Sequence, residues 1–287
     1  MTEIRLMTVG DVIGVRTVVE AAIDQRERRA GHEPQPRTGD QRDSFLSALR
    51  RFVELDPDGA WVAVDRGTVV GMANFIRRAS FWGLSMLFVD PARQNEGLGR
   101  QLLDAGLASA SDASVRMILS SSDPRALRRY SLAGHDIHPA VEARGRIDRK
   151  AIPDELSARP GDASDLDLVA SVDAGLRGSR AEDVEYLLGL GAMIQVIDRG
   201  AARGYVMHRD KHLLMLGATD DAAASELLWR FLHEAGAEAE IWGLTARQNW
   251  AVKVALAARL EVAAAGALFM AGREHPPGPW VPSGWYF

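Results

Sequence analysis

Apolar residues recur along this chain at two periods, and the changes between them predict its elements. Residues 4–6 open as a short strand. Thr8 to Asp11 supply helix-start chemistry, and Val12, Val15, Val19 and Ala22 then share one helical face. Residues 24–37 are polar and end in Glu33-Pro-Gln-Pro-Arg37, which predicts a loop. Phe45, Leu46, Leu49 and Phe52 return to helical period over 42–55, and Asp56-Pro-Asp-Gly59 reads as a turn. Strands come next over 60–65 and 69–77, joined at Arg66-Gly67. Phe81 leads into a further strand, whose apolar run from Ser85 to Val89 is stopped by Asp90-Pro91. Leu98, Leu102 and Ala105 line a helix, residues 115–121 a strand, 124–133 a helix and 136–143 an edge strand. Helices thus interrupt short strands throughout, an α/β pattern.

Residues 148–157 are polar and carry a proline, as a linker does, and the chain beyond them repeats the first half. Arg159-Pro-Gly-Asp-Ala-Ser-Asp165-Leu-Asp-Leu-Val169 echoes Arg5-Leu-Met-Thr-Val-Gly-Asp11-Val-Ile-Gly-Val15 at constant offset. Asp198-Arg-Gly-Ala-Ala-Arg-Gly204 likewise echoes Asp65-Arg-Gly-Thr-Val-Val-Gly71. So long a period predicts two duplicated domains, residues 1–150 and 151–287, rather than a solenoid.

The length of 287 residues is comfortable for two domains, and 47% hydrophobic with 25% charged residues is ordinary for a soluble globular protein. A formal net charge of −5 argues against a nucleic-acid partner, which needs a clustered basic face. The chain has no cysteine, hence no disulfide, thiolate nucleophile or cysteine metal site; no metal is expected. Its start does not read as a signal peptide and no apolar run approaches membrane-spanning length, so the expectation is a cytoplasmic protein without a membrane partner.

The informative chemistry lies after Val89. Gln94-Asn-Glu-Gly97-Leu-Gly99-Arg100 opens directly into a helix, and a glycine-bearing loop before a helix N-terminus cradles anions with its backbone N–H groups. A Walker loop would need Gly-Lys-Ser/Thr at the helix start, and a dinucleotide fingerprint a third glycine; neither is present. Gln94-x-x-Gly97-x-Gly99 after Val-Asp-Pro instead resembles the pyrophosphate loop of the GNAT acetyltransferase superfamily. At the right distance beyond it stands Asp123-Pro-Arg-Ala126-Leu-Arg-Arg-Tyr130-Ser-Leu-Ala-Gly134-His135. It resembles the family's Asn/Asp-x-x-Ala-x-x-x-Tyr-x-x-x-Gly-Phe helix, with His135 in place of Phe.

The resemblance implies a mixed sheet flanked by helices in each half, and acetyl-CoA as co-substrate. Backbone groups of Gln94, Asn95, Glu96, Gly97, Leu98, Gly99 and Arg100 would hold its pyrophosphate. Leu87, Phe88 and Val89 would bond its pantetheine arm as a pseudo-strand. Glu96 stands where a basic residue is common, and an acid there opposes phosphate binding unless it points to solvent or pairs with Arg93 or Arg100. The second half has no such loop: residues 220–226 contain no glycine, Asp220, Asp221 and Glu226 would repel a pyrophosphate, and alanine stands where Tyr130 does. It therefore resembles the degenerate copy of tandem bacterial members of the family. Those members keep the active copy second, whereas here the motif is in the first.

Tyr130 is the candidate catalytic residue, since a phenol of pKa ~10 can protonate a departing thiolate; packing of its ring on the core is the other reading. Asp123, like Ala126, belongs to the coenzyme A-binding helix and either orients the co-substrate or caps that helix. No general base is visible. His32, His135 and His138 have the chemistry, and His138 on the strand after the Tyr130 helix could face the acceptor, or be packed or solvated. Glu20 and Asp24 close the first helix, where this fold builds its acceptor pocket, and could bind a cationic amine or be solvated. Arg26, Arg28 and Arg29 read as a solvated face, and the aromatic tail from Trp280 to Phe287 as packing on the second domain.

The expected reaction is acetyl transfer to a primary amine. A small polar acceptor would sit between the first helix, the loop 24–37 acting as a lid, and the second domain. Two alternatives stay open, a non-catalytic acyl-CoA sensor and a protein or peptide N-acetyltransferase; a homodimer is also open. Tyr130 persists in the copy that keeps the loop and is lost from the copy that does not, which favours a reaction that uses both.

Overall fold

A computed structural model describes every residue except 111, 179, 180 and 285–287. The chain divides into two compact units, residues 1–77 with 82–113, and residues 78–81 with 114–287.

In the first unit, strands β1 (Glu3–Leu6), β2 (Ala60–Asp65), β3 (Thr68–Arg78) and β4 (Phe81–Val89) lie side by side in chain order. The β1–β2 and β2–β3 pairs are antiparallel, with Ile4 opposite Ala63 and Val62 opposite Met72. Helices α1 (Val12–Arg29), α2 (Gly39–Leu55) and α3 (Leu98–Ala108) complete it. Val15, Val18 and Val19 of α1 and Leu49 and Phe52 of α2 are buried, as their period requires. Gly106 of α3 lets that helix sit on the ring of Phe75, since a Cβ there would fall 2.1 Å from a ring carbon. Phe75 in turn stacks on Trp82 at 4.9 Å.

Here one sequence expectation fails. Residues 24–29 continue α1, and only residues 30–38 are irregular. Polarity misleads at this point. The segment is built of strong helix formers, and Arg26, Arg28 and Arg29 in the last turn complement the helix dipole. The irregular stretch available as a lid is therefore residues 30–38 rather than 24–37.

The second unit contains β5 (Val115–Ser120), α4 (Pro124–Leu132), β6 (Asp136–Arg146), β7 (Arg159–Pro160), α5 (Leu166–Leu176), α6 (Ala181–Gly189), β8 (Met193–Arg199), β9 (Ala202–Arg209) and β10 (His212–Ala218). After these come α7 (Asp221–Glu234), β11 (Glu238–Leu244), α8 (Asn249–Ala257), β12 (Glu261–Ala271) and β13 (Trp280–Val281). Its strands run β5-β12-β6-β11-β10-β9-β8-β7, with β13 beside β10.

The expected edge strand is not an edge. β6 is paired on both sides, to β11 with Ala143 opposite Ile241, and to β12 with Ile137 opposite Phe269. β12 comes from the far end of the chain and lies between β5 and β6, so each half of the sequence places its last long strand beside the other's. A pattern of local periodicity does not reveal such an exchange, because it specifies which face is buried and not which strand is the neighbour.

The echoing segments make matching local contacts. Arg5 Nη2 meets Asp11 Oδ1 at 2.7 Å, and Arg159 Nη2 meets Asp165 Oδ1 at 2.6 Å. In each, the same acid also accepts a backbone N–H three residues earlier, from Thr8 at 2.8 Å and Asp162 at 3.1 Å. The helices α4 and α8 end alike, through the left-handed residues Gly134 and Arg259, with His135 N–H donating to Tyr130 O and Leu260 N–H to Ala255 O.

Candidate functional site

β4 is buried from Phe81 to Leu84, and Leu87, Phe88 and Val89 at its end are half-buried. Asp90 ends the strand, its carboxylate accepting from Ala92 N–H at 2.8 Å and setting a single 3₁₀ turn over Pro91–Arg93. Asn95 and Gly97 then take positive φ, 70° and 82°, the region that favours Asn and Gly. Gly97 stands at the N-cap of α3 with no side chain to fill the position. Among the described residues the N–H groups of Gly97, Leu98 and Gly99 meet no acceptor, and the loop from Asn95 to Gly97 is exposed. A Cβ on Gly99 would lie 3.6 Å from both Leu87 and Val89, so glycine keeps the surface between helix start and strand end low. Free donors, a helix N-terminus and a flat approach together suit a pyrophosphate.

Glu96 does not oppose that use. Arg93 Nε holds both its carboxylate oxygens at 2.9 Å, while Arg93 Nη1 bonds Asp65 at 2.9 Å and so ties the loop to the β2–β3 turn. Gln94 Nε2 reaches back to Val89 O at 3.4 Å, and Arg100 pairs with Asp104 along α3 at 3.3 Å. The tie to Asp65 is not legible in the sequence, where Asp65 reads as the end of a strand.

The remaining candidates divide between the units. Glu20 and Asp24 belong to the first, and Asp123, Ala126, Tyr130 and His138 to the second. Glu20 bonds Arg42 at 3.2 Å and Asp24 bonds Arg37 at 2.8 Å, so neither carboxylate is without a cation. His32 is exposed beside Glu27.

In the second unit Asp123 caps α4, accepting from Arg125 N–H at 2.9 Å, and its other oxygen pairs with the Arg125 guanidinium at 2.6 Å. The half-buried Ala126 lies one turn before Tyr130 on the same helix. Tyr130 is 7% exposed. Burial, with a smaller contribution from the Asp123 charge, raises its phenol well above the ordinary tyrosine range, so the ring is neutral and carries its proton. Its neighbour is Phe269 of β12, which sequence order gives no means of finding.

His135, where the family carries Phe, is packed at 2% exposure and is held neutral chiefly by burial. His138 is half-buried on β6, its ring 6.3 Å from that of His275, and burial and that neighbour lower its pKa. Among the described residues no cluster of His, Asp and Glu could hold a metal ion, and no helix is long and apolar enough to cross a membrane. Of the aromatic tail, Trp280 and Val281 are fully buried within the second unit, while Trp285, Tyr286 and Phe287 lie outside the described residues.

Residues 21–134 match the model of the acetyltransferase (GNAT) family. No curated protein sequence matches the chain. Among solved structures, a putative acetyltransferase from Pyrococcus horikoshii is similar over 100% of this chain and 96% of its own, with a TM-score of 0.77 and 14% identity. A GCN5-related N-acetyltransferase from Sphaerobacter thermophilus covers 99% of this chain and 98% of its own, with a TM-score of 0.58 and 15% identity. A tandem GNAT protein from the clavulanic acid biosynthesis pathway covers 96% and 100%, with a TM-score of 0.56 and 16% identity. At these identities the structures speak for the fold, and the family match speaks for the loop-bearing segment. Residues 21–134 thus resemble the acetyltransferase (GNAT) family in sequence, and the chain as a whole has the fold of these solved structures.

Proposed function

We propose that this protein transfers the acetyl group of acetyl-CoA to a primary amine, the acceptor being a small polar molecule. The unbonded N–H groups of Gly97, Leu98 and Gly99 at the start of α3 carry this reading, since free donors at a helix N-terminus suit a phosphate-bearing group. Coenzyme A supplies an activated acetyl thioester. In the reaction a C–N bond forms to the acceptor, the C–S bond breaks, and the departing sulfur takes a proton.

Tyr130 gives that proton. Its phenol is protonated at any working pH. Burial that disfavours phenolate also disfavours a thiolate, so the acidity mismatch between the two narrows in the same apolar surroundings. Asp123 and Ala126 shape the helix that presents it, and Leu87, Phe88 and Val89 offer main-chain groups to the arm of the co-substrate. Glu20 and Asp24 bear carboxylates that an ammonium could take over from Arg42 and Arg37. His138 is neutral, as a proton acceptor must be. The carboxylates of Glu20 and Asp24 favour a cationic acceptor over an apolar one.

Calorimetry with coenzyme A on the wild type and on a Gly97→Glu, Gly99→Glu variant tests the binding reading; equal affinity would end it. Free-thiol release from acetyl-CoA with a panel of amines and peptides then tests the reaction. Turnover on small polar amines supports the proposal. Turnover on peptides alone moves the acceptor to a protein, and tight binding without turnover on anything makes the protein a sensor.

A further inference from the structure

The strands β10 and β11 run parallel but pair at one register position only, His212 opposite Glu240. Beyond it β10 takes another partner. The C-terminal strand β13 lies antiparallel to its far half, with Leu216 opposite Val281 and Gly217 opposite Trp280, and Ala218 N–H donates to Pro279 O at 2.8 Å. β13 also packs against β11. The chain's own tail therefore occupies the gap that opens between these two parallel strands.

Side-chain donors aimed at its carbonyls hold it there. Gln248 Nε2 donates to Pro277 O at 2.6 Å and the Trp250 indole N–H to Gly278 O at 2.8 Å, both from the start of α8 or the turn before it. A Cβ on Gly278 would lie 3.2 Å from Arg247 Nη2 and 3.5 Å from Asp221 in the first turn of α7. Gly243 of β11 is likewise shaped to the tail, because a Cβ there would meet Pro282 at 2.7 Å. Trp280 and Val281 are completely buried. The helix start that a ligand's phosphates would need is filled as well: the Asp220 carboxylate accepts from Ala222 and Ala223 N–H at 3.0 and 2.8 Å.

β10 followed by α7 corresponds in chain order to β4 followed by α3. We propose that the tail, residues 276–283, is an intramolecular ligand of the second half. It occupies the place corresponding to the one the first half offers to the co-substrate's arm, while Asp220 replaces the pyrophosphate. The second half is thus complete without a small molecule. The comparison with the first half rests on the acetyl-CoA reading above; occupation of the slot by the tail does not.

Hydrogen exchange on the full-length protein, with and without saturating coenzyme A, tests this. The Ala218 amide should exchange at least ~10²-fold more slowly than an unstructured amide in both conditions. In full-length Trp280→Ala that amide should exchange about tenfold faster or more, with Val206 in the adjoining β9–β8 pair unchanged. Calorimetry should give one coenzyme A per chain. An Ala218 amide unprotected in the wild type overturns the proposal without recourse to the variant. So does a second equivalent of coenzyme A that deprotects Ala218. No coenzyme A binding at all, with Ala218 protected, would remove the acetyl-CoA reading and leave the tail in its slot.

Discussion

The ring of Tyr130 meets that of Phe269 edge-on, with centroids 5.5 Å apart and planes at 70°. Tyr130 belongs to the motif-bearing helix α4, and Phe269 to β12, the strand that the second half of the sequence lays between β5 and β6. The proposed acid thus rests on a residue from the other copy. Tyr130→Phe keeps that edge contact and removes only the hydroxyl, so it should lower kcat ~10²-fold or more and leave the melting temperature nearly unchanged. Phe269→Leu opens space beneath the ring and should cost about 1–2 kcal/mol of stability by denaturant unfolding. A Tyr130→Phe enzyme with normal kcat would reduce the phenol to packing.

Glu96 offers a second test, of the loop. With both its oxygens on Arg93 Nε, its charge is already offset, and the pair is partly exposed. Glu96→Gln should leave the midpoint of urea unfolding nearly unchanged, because exposed ion pairs contribute little. Affinity for coenzyme A should hold or tighten slightly. A tenfold loss of affinity in calorimetry would mean that the carboxylate itself holds the loop in its binding shape.

The legible part of this protein is local. Gln94, Gly97 and Gly99 mark the helix start, since a left-handed N-cap and exposed donors leave a direct imprint on residue choice. The paired echoes around Asp11 and Asp165 mark the repeat, because a capping acid and its arginine lie within a few residues of each other. Long-range pairing leaves no such imprint. Nothing in residues 261–271 says that they lie beside 115–120, and nothing in residues 136–146 says that they are covered on both edges. The end of α1 reads as loop because Arg26, Arg28 and Arg29 are as good in a solvated helix as outside one. Sequence does not pair Glu20 and Asp24 with Arg42 and Arg37, as those contacts depend on how α2 and the loop before it return to α1.

Gly106 carries a third prediction, about packing. Its missing Cβ is what allows Phe75 to lie against α3 while stacking on Trp82. Alanine there would put a carbon 2.1 Å from the ring, closer than any real contact. Helix propensity favours alanine by roughly 1 kcal/mol, but overpacking a fixed aromatic costs about 1–3 kcal/mol, so the net sign should be destabilising. Gly106→Ala should therefore melt below the wild type. Gly106→Ala with Phe75→Leu should recover part of the loss, because the smaller side chain vacates the clashing volume. If the double variant is additive, the two residues are not in the contact described.

Asp11 carries the last prediction, on pH. The Arg5 guanidinium, with Thr8 N–H and hydroxyl, holds its carboxyl down at about 2, below the ordinary aspartate value, against an opposing contribution from burial. A carboxyl depressed in the folded state binds its proton more readily in the unfolded chain. Its contribution to stability is therefore fully present above the unfolded value of about 3.9 and is lost as pH falls toward 2. Asp11→Asn lacks this contribution at every pH. The wild type should accordingly be more stable than Asp11→Asn by a constant margin from pH 7 down to about 5, and the margin should narrow between roughly pH 4 and pH 2. Asp165, depressed by Arg159 in the same way, should behave alike in Asp165→Asn. Urea unfolding of the three proteins at pH 7, 5, 4 and 3 measures the margins. A margin that stays flat through pH 3 would mean that the Arg5–Asp11 pair, although 2.7 Å long, adds nothing that the asparagine amide does not also supply.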